Sequence, residues 1–100
     1  MPEAEYLIRP SSHDGWLVIR AESLTEVLTP HGYAAEPAAG FGDFHLQGAS
    51  YEVSFADEDP GWYVGFDGDI SALDSDEFVA QVARQVHEYT GLPTEWVRIT

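Results

Sequence analysis

Between Asp57 and Glu77 the chain carries the carboxylates Asp57, Glu58, Asp59, Asp67, Asp69, Asp74, Asp76 and Glu77 with no Lys or Arg among them. Unneutralised carboxylates attract cations, either the basic groups of a partner or a hard divalent ion held at alternate positions. Tyr63 lies in the same stretch and alternates onto the face opposite Trp62, beside the acidic run 57–59. An exposed ring among carboxylates is an anchor for a Lys or Arg, because cation–π attraction adds to charge pairing. The same bias runs through the whole chain. Eighteen acids oppose four bases for a net charge of −14, and the bases are all arginine: Arg9, Arg20, Arg84 and Arg98. From Ala21 to Ala83 there are thirteen acids and no Lys or Arg. Such a field repels nucleic-acid phosphates and anionic lipid heads, which proteins bind through Lys and Arg. Direct nucleic-acid binding and membrane binding are therefore not expected, and a basic protein partner is. Solubility also requires charge, but not its concentration in one part of the chain.

Other chemistries fail on spacing. Asp67, Asp69 and Ser71 open like a calcium loop, but the sixth position is Ala72 where a Gly makes the sharp turn, and the twelfth is Phe78 where a Glu binds bidentately. What remains there is a non-standard divalent site of Asp67, Asp69, Asp74 and Asp76. Gly48-Ala49-Ser50-Tyr51-Glu52 lacks the last glycine of a nucleophile elbow, and Ser50 opens a strand. His87-Glu88-Tyr89-Thr90-Gly91 lacks the second histidine of a zinc helix, and Gly40-Phe41-Gly42 has neither a third glycine nor a P-loop lysine. The four histidines, His13, His31, His45 and His87, have no ligand spacing. His13 with Asp14 and His45 with Asp43 form acid/base pairs only if a pocket brings them together. No catalytic residue, resident metal or cofactor is expected.

These groups must be positioned by a fold that the hydrophobic pattern outlines. Glu5–Arg9 reads as a strand closed by Pro10 and the turn-forming run Ser11 to Gly15. Trp16–Arg20 reads as a second, central strand, its unbroken apolar run predicting burial on both faces. Ser23 and Glu26 have capping-box spacing for a short helix over 24–28, ended by Pro30 and Gly32. Residues 33–40 read as a loop and 41–47 as a weak strand. Tyr51–Phe55 and Trp62–Asp67 alternate, with Tyr51, Val53 and Phe55 on one face and Trp62, Val64 and Phe66 inward; residues 56–61 form the hairpin loop between them. The longest helix starts at a cap on Asp74 or Ser75, with Asp76 and Glu77 in its first turn, and stops at Gly91 and Pro93. Phe78, Val79, Val82, Val86 and Tyr89 form its apolar stripe, with Gln81, Arg84, Gln85 and Glu88 outside. Residues 95–99 close the sheet. Phe41, Phe44, Tyr51, Phe55, Trp62 and Phe66 are the predicted aromatic core. The fold class is two-layer α+β: a mostly antiparallel sheet of five or six strands with one long C-terminal helix and one short N-terminal helix.

At 100 residues and 11.1 kDa the chain is expected to form one domain over 1–100. Its 44% hydrophobic and 22% charged residues match a folded protein. With no cysteine there is no disulfide framework, thiolate metal site or cysteine nucleophile. The longest apolar run, Trp16 to Ile19, is far too short to span a bilayer, and the N-terminus lacks export features, so the expected location is the cytoplasm.

The strongly acidic composition, the antiparallel sheet, Gly61–Asp69 (GWYVGFDGD), an amphipathic helix running into Tyr89-Thr90-Gly91 and the late Trp96 resemble the small immunity proteins of bacterial toxin systems. The resemblance covers 50–99 and is one of layout and charge. It implies a non-enzymatic inhibitor that docks onto a basic toxin, often a nuclease, and blocks its nucleic-acid site. The leading expectation is thus a binding protein that sequesters a basic partner through Asp57, Glu58, Asp59, Tyr63, Asp67 and Asp69, with Asp74, Asp76 and Glu77. The alternative is a small-molecule or divalent-metal-binding accessory domain centred on Asp69, and a third reading is a small enzyme using His45 and Asp43.

Overall fold

A computed structural model describes residues 3–12 and 15–100. The His13–Asp14 pair lies outside the described residues. The elements are β1 (Ala4–Pro10), α1 (Leu24–Leu28), β2 (Glu36–Pro37), β3 (Phe44–Gln47), β4 (Tyr51–Glu58), β5 (Gly61–Gly68), α2 (Ala72–Thr90) and β6 (Thr94–Arg98), with a 3₁₀ turn at Ala21–Ser23. Among the described residues the strands form one six-stranded antiparallel sheet in the order β2-β3-β4-β5-β1-β6. This is the expected α+β class, with the long helix near the C-terminus. No described helix is long and apolar enough to cross a membrane.

The meander β3-β4-β5 follows from alternation. Val53, Phe55, Val64 and Phe66 are fully buried and Trp62 nearly so, on the face that α2 covers. The β4–β5 pairing runs from Tyr51↔Gly68 to Glu58↔Gly61, so the strands extend almost to the tip and leave only Asp59-Pro60 as the turn. Gly61 is required there: a Cβ would run into the Ile8 carbonyl of β1. β1 lies between β5 and β6 and sends Tyr6 and Ile8 into the core.

The helix α2 begins earlier than its acids indicate. Ser71 is the cap, its Oγ accepting the Asp74 amide at 3.1 Å, so Asp74 sits in the first turn and Asp76 and Glu77 lie beyond it. Ser75, an expected cap, is instead buried, with its Oγ 2.7 Å from the Tyr6 hydroxyl. Phe78, Val79, Val82 and Val86 pack on the sheet as the stripe predicts, and Gly91, at φ 74°, ends the helix in the left-handed region. Two positions depart from the stripe. Tyr89 is exposed and accepts a hydrogen bond from Arg20 Nε, whereas Gln85 is buried because α1 packs across that side of α2. Ser23 precedes α1 but makes no side-chain cap, since the 3₁₀ turn leads the chain into the helix.

Three other expectations are corrected. Residues 16–20 form no strand, and the Val18 amide turns back to the Trp16 carbonyl at 3.0 Å: Leu17 and Ile19 are buried while Trp16 and Val18 are 60% and 67% exposed. The run WLVI is therefore buried on one side only, tied by the Leu17 amide to the Pro60 carbonyl at 2.9 Å and by Trp62 Nε1 to the Leu17 carbonyl at 2.8 Å. Phe41 is 88% exposed at the apex of a loop whose Gly42 lies against the Phe55 carbonyl, so the aromatic core lacks it. The stretch 33–40 contains the two-residue edge strand β2.

Candidate functional site

At the tip of the β4–β5 hairpin, three carboxylates meet an apolar wall. Asp57, next to last in β4, lies opposite Trp62 on the covered face of the sheet but is exposed, as are Asp43 and Asp59, the latter in the turn. Asp43, in the loop before β3, reaches across so that its Oδ2 accepts the Asp57 amide at 2.8 Å. The irregular segment 16–19 lies against them. Together they line a cavity of about 430 Å³, floored by Trp62 and Leu17 and rimmed by Trp16 and Val18. No described residue lining it is basic. Partial desolvation, followed by repulsion from Asp59 and Asp43, raises the Asp57 carboxyl above its ordinary range. A cation entering the cavity would relieve that repulsion, and its alkyl stem would meet the indole walls.

The arginines are occupied elsewhere. Arg9 pairs with Glu95 at 2.7 Å, Arg98 with Asp76 at 3.1 Å and Arg20 with Glu22 at 3.6 Å, while Arg84 donates to Gln81 at 3.1 Å. The charge of Asp43, Asp57 and Asp59 is thus uncompensated by them.

The sequence-predicted residues do not form one surface. Asp57 and Asp59 line the cavity, and Glu58 is exposed beside them on the uncovered face of the sheet. Asp67 and Asp69 lie toward the other end of the hairpin, five and seven residues along β5 from Trp62, the partner of Asp57, or about 17 and 23 Å at about 3.3 Å per residue. Asp69 and Asp74 line a different cavity, and Glu77 is exposed next to Tyr33. Asp76 is engaged by Arg98 and the Tyr6 hydroxyl. Tyr63 is on the uncovered face as alternation requires, but it lies over Gly65, away from the acidic turn. Its hydroxyl donates to Glu5 Oε1 at 2.8 Å. Trp16 and Val18 are the site residues that sequence reasoning missed, and Asp43, expected only as a partner of His45, joins them here.

The other candidate chemistries are also placed. His45 is buried beneath Gly40, with Nδ1 3.2 Å from Ser54 Oγ and Nε2 3.2 Å from Glu52 Oε1. Asp43 turns to the Asp57 amide, so the two do not form an acid/base pair. Among the described residues no group of three or more His, Asp or Glu side chains is arranged to hold a metal ion.

The phenols give the site region a measurable titration. Burial and a hydrogen bond to Glu5 push Tyr63 up to about 12. Burial first, then neighbouring carboxylates, also raises Tyr6, Tyr33 and Tyr51, whereas hydrogen bonds from Ser23 and Arg20 lower Tyr89. A raised phenol holds its proton more tightly folded than unfolded. The stability it contributes is whole below the ordinary phenol value of about 10 and is lost as pH rises toward 12. Phenolate absorbance is expected to show Tyr89 ionising first with the fold intact, and the other four in step with loss of near-UV circular dichroism. Five phenols titrating together without unfolding would contradict this.

No known protein family, curated protein or solved structure matches the chain.

Proposed function

We propose that this is a non-enzymatic binding protein of the cytoplasm that sequesters or inhibits a basic protein partner, in the manner of an immunity protein. The observation that carries the reading is the hairpin-tip cavity: Asp43, Asp57 and Asp59 converge on an indole-walled recess without a basic residue among those described. A Lys or Arg of the partner entering it exchanges like-charge repulsion for ion pairing, and its stem covers Trp16 and Val18. Exposed apolar anchors beside uncompensated charge are the composition of a docking surface, the charge setting encounter rate and the anchors setting lifetime.

The test starts from a basic protein captured from host lysate on the immobilised chain, followed by association kinetics over a range of salt. D43N/D57N/D59N is expected to slow association about tenfold or more at low salt and to flatten its salt dependence. Trp16→Ala is expected to speed dissociation instead. Unchanged rates in both variants would return the carboxylates to a solubilising role.

A further inference from the structure

The two edges of the sheet are not alike. β2, at one end, is two residues long and carries Pro37, which has no amide to offer, so that edge is blunted against pairing. β6, at the other end, has five residues, no Pro, and no described strand beyond it in the sheet. Its two charges are engaged within the chain, Glu95 by Arg9 at 2.7 Å and Arg98 by Asp76 at 3.1 Å. The register with β1 fixes which backbone groups are already used. The Ile99 amide donates to the Glu5 carbonyl at 2.7 Å and the Ser11 amide to the Pro93 carbonyl at 2.8 Å, so Glu95 and Val97, at the same parity, exchange hydrogen bonds with Arg9 and Leu7. Thr94, Trp96 and Arg98 therefore aim their amides and carbonyls at the open edge, where none meets a partner among the described residues.

Amide–carbonyl pairs repeated at every second residue are a template for an added antiparallel strand. The strand that fits is β6 itself. About a two-fold axis at Trp96, Thr94 of one copy lies opposite Arg98 of the other and Trp96 opposite Trp96, and every outward amide meets a carbonyl. On the covered face each Arg98 is then diagonal to the other copy's Trp96, within reach for cation–π contact. On the uncovered face Val97 lies opposite Glu95, and Ile99, 53% exposed in the single chain, opposite Pro93. The two Glu95 carboxylates become diagonal neighbours, each held by its own Arg9. This is also the flank where charge is best balanced, since Arg9 and Arg98 are two of the four bases in the chain. We infer that β6 is the pairing edge for a second copy of this chain, forming a two-fold dimer with one sheet continuous across both copies. The inference is independent of the proposed function, because no β6 residue lines the hairpin-tip cavity.

Sedimentation velocity over a concentration series, with amide hydrogen exchange on the ¹⁵N-labelled protein, tests it. A single strand pair is a small interface, so a reversible monomer–dimer equilibrium is expected. The Thr94, Trp96 and Arg98 amides are expected to exchange freely in dilute protein and about tenfold or more slowly in the dimer, with Glu95 and Val97 protected in both. Salt should strengthen the dimer, because it screens two chains of net charge −14 from each other, whereas it weakens capture of a basic partner. Trp96→Pro removes the central outward amide but leaves the bonds to β1 in place. It should abolish the dimer, while Trp96→Thr, which keeps the amide, should retain a weaker one. Thr94→Pro, at the first residue of the strand, should weaken pairing with near-UV circular dichroism unchanged, which separates the edge from the Trp96 ring. D43N/D57N/D59N should dimerise as the parent does. A chain that is monomeric at every concentration, or a dimer in which the Thr94, Trp96 and Arg98 amides still exchange freely, would overturn the inference. Protection of those amides only on addition of a captured basic protein would overturn it too, assigning the edge to that partner and leaving the proposed function standing.

Discussion

Phe78→Ala is expected to destabilise the protein by about 4 kcal/mol, within the range for removing a fully buried aromatic side chain. Phe78 is fully buried and is the residue through which α2 meets the aromatic part of the sheet. Its ring lies edge-on to Phe66 at 5.2 Å and Tyr33 at 5.1 Å, and nearly perpendicular to Tyr51 at 6.2 Å. Such pairs contribute about 0.5 to 1.5 kcal/mol each beyond the area they bury. The neighbours are rigid rings anchored on separate elements, so they cannot collapse into the space as a Leu or Met could. Urea unfolding measures the loss, and Phe78→Leu should recover more than half of it. A loss below about 1.5 kcal/mol for the alanine variant would mean that the helix is not seated as described.

Gln85→Ala is expected to destabilise by about 3 kcal/mol, although it removes a polar side chain from a helix. α1 is only five residues long, and its last carbonyls lack helical partners. Gln85 Nε2 donates to the Val27 and Thr29 carbonyls, each at 3.0 Å, and its Oε1 accepts the His31 amide at 2.8 Å. Truncation strands the buried Val27 carbonyl and leaves the part-buried Thr29 carbonyl and His31 amide without this partner. Gln85→Glu keeps the acceptor for His31 but sets a carboxylate against carbonyl oxygens, which raises its folded pKa. Its stability should therefore be lowest at neutral pH and recover as acid protonates the new side chain. A glutamate variant with flat pH dependence, or an alanine variant within about 0.5 kcal/mol of the parent, would remove Gln85 from this role.

Gln85 also shows where reading the sequence stops. Its position outside the apolar stripe is correct for a helix packed on one sheet, and wrong for one that also receives α1 on its flank. The strands β4 and β5 were legible because each has one buried and one solvated face, and period-two patterning records that directly. Trp16–Arg20 was misread for the converse reason: Trp16 and Val18 are apolar on the exposed side, so the alternation with Leu17 and Ile19 leaves no trace in hydropathy. Asp57 and Asp59 could be nominated from local charge. Asp43, Trp16 and Val18 could not, since only the tertiary crossing of three separate segments brings them together. The separation of Asp59 from Asp69 was implicit in the eight-residue strand β5 between them, but a count of charges along the chain does not convert into distance.

The strand order has a kinetic consequence. β3, β4 and β5 are neighbours in both chain and sheet, so their pairing closes only short loops. β1 is first in the chain yet pairs with β5 on one side and β6 on the other. Each pairing must close a loop spanning most of the sequence, and loop-closure entropy makes such contacts slow to form. Tyr6 and Ile8 remain outside any core until β5 exists, and β1 gains its second neighbour only after α2 has been traversed. The meander can thus assemble early, with the insertion of β1 as the late step that completes the sheet and brings Tyr6 to Ser75 and Asp76 of α2.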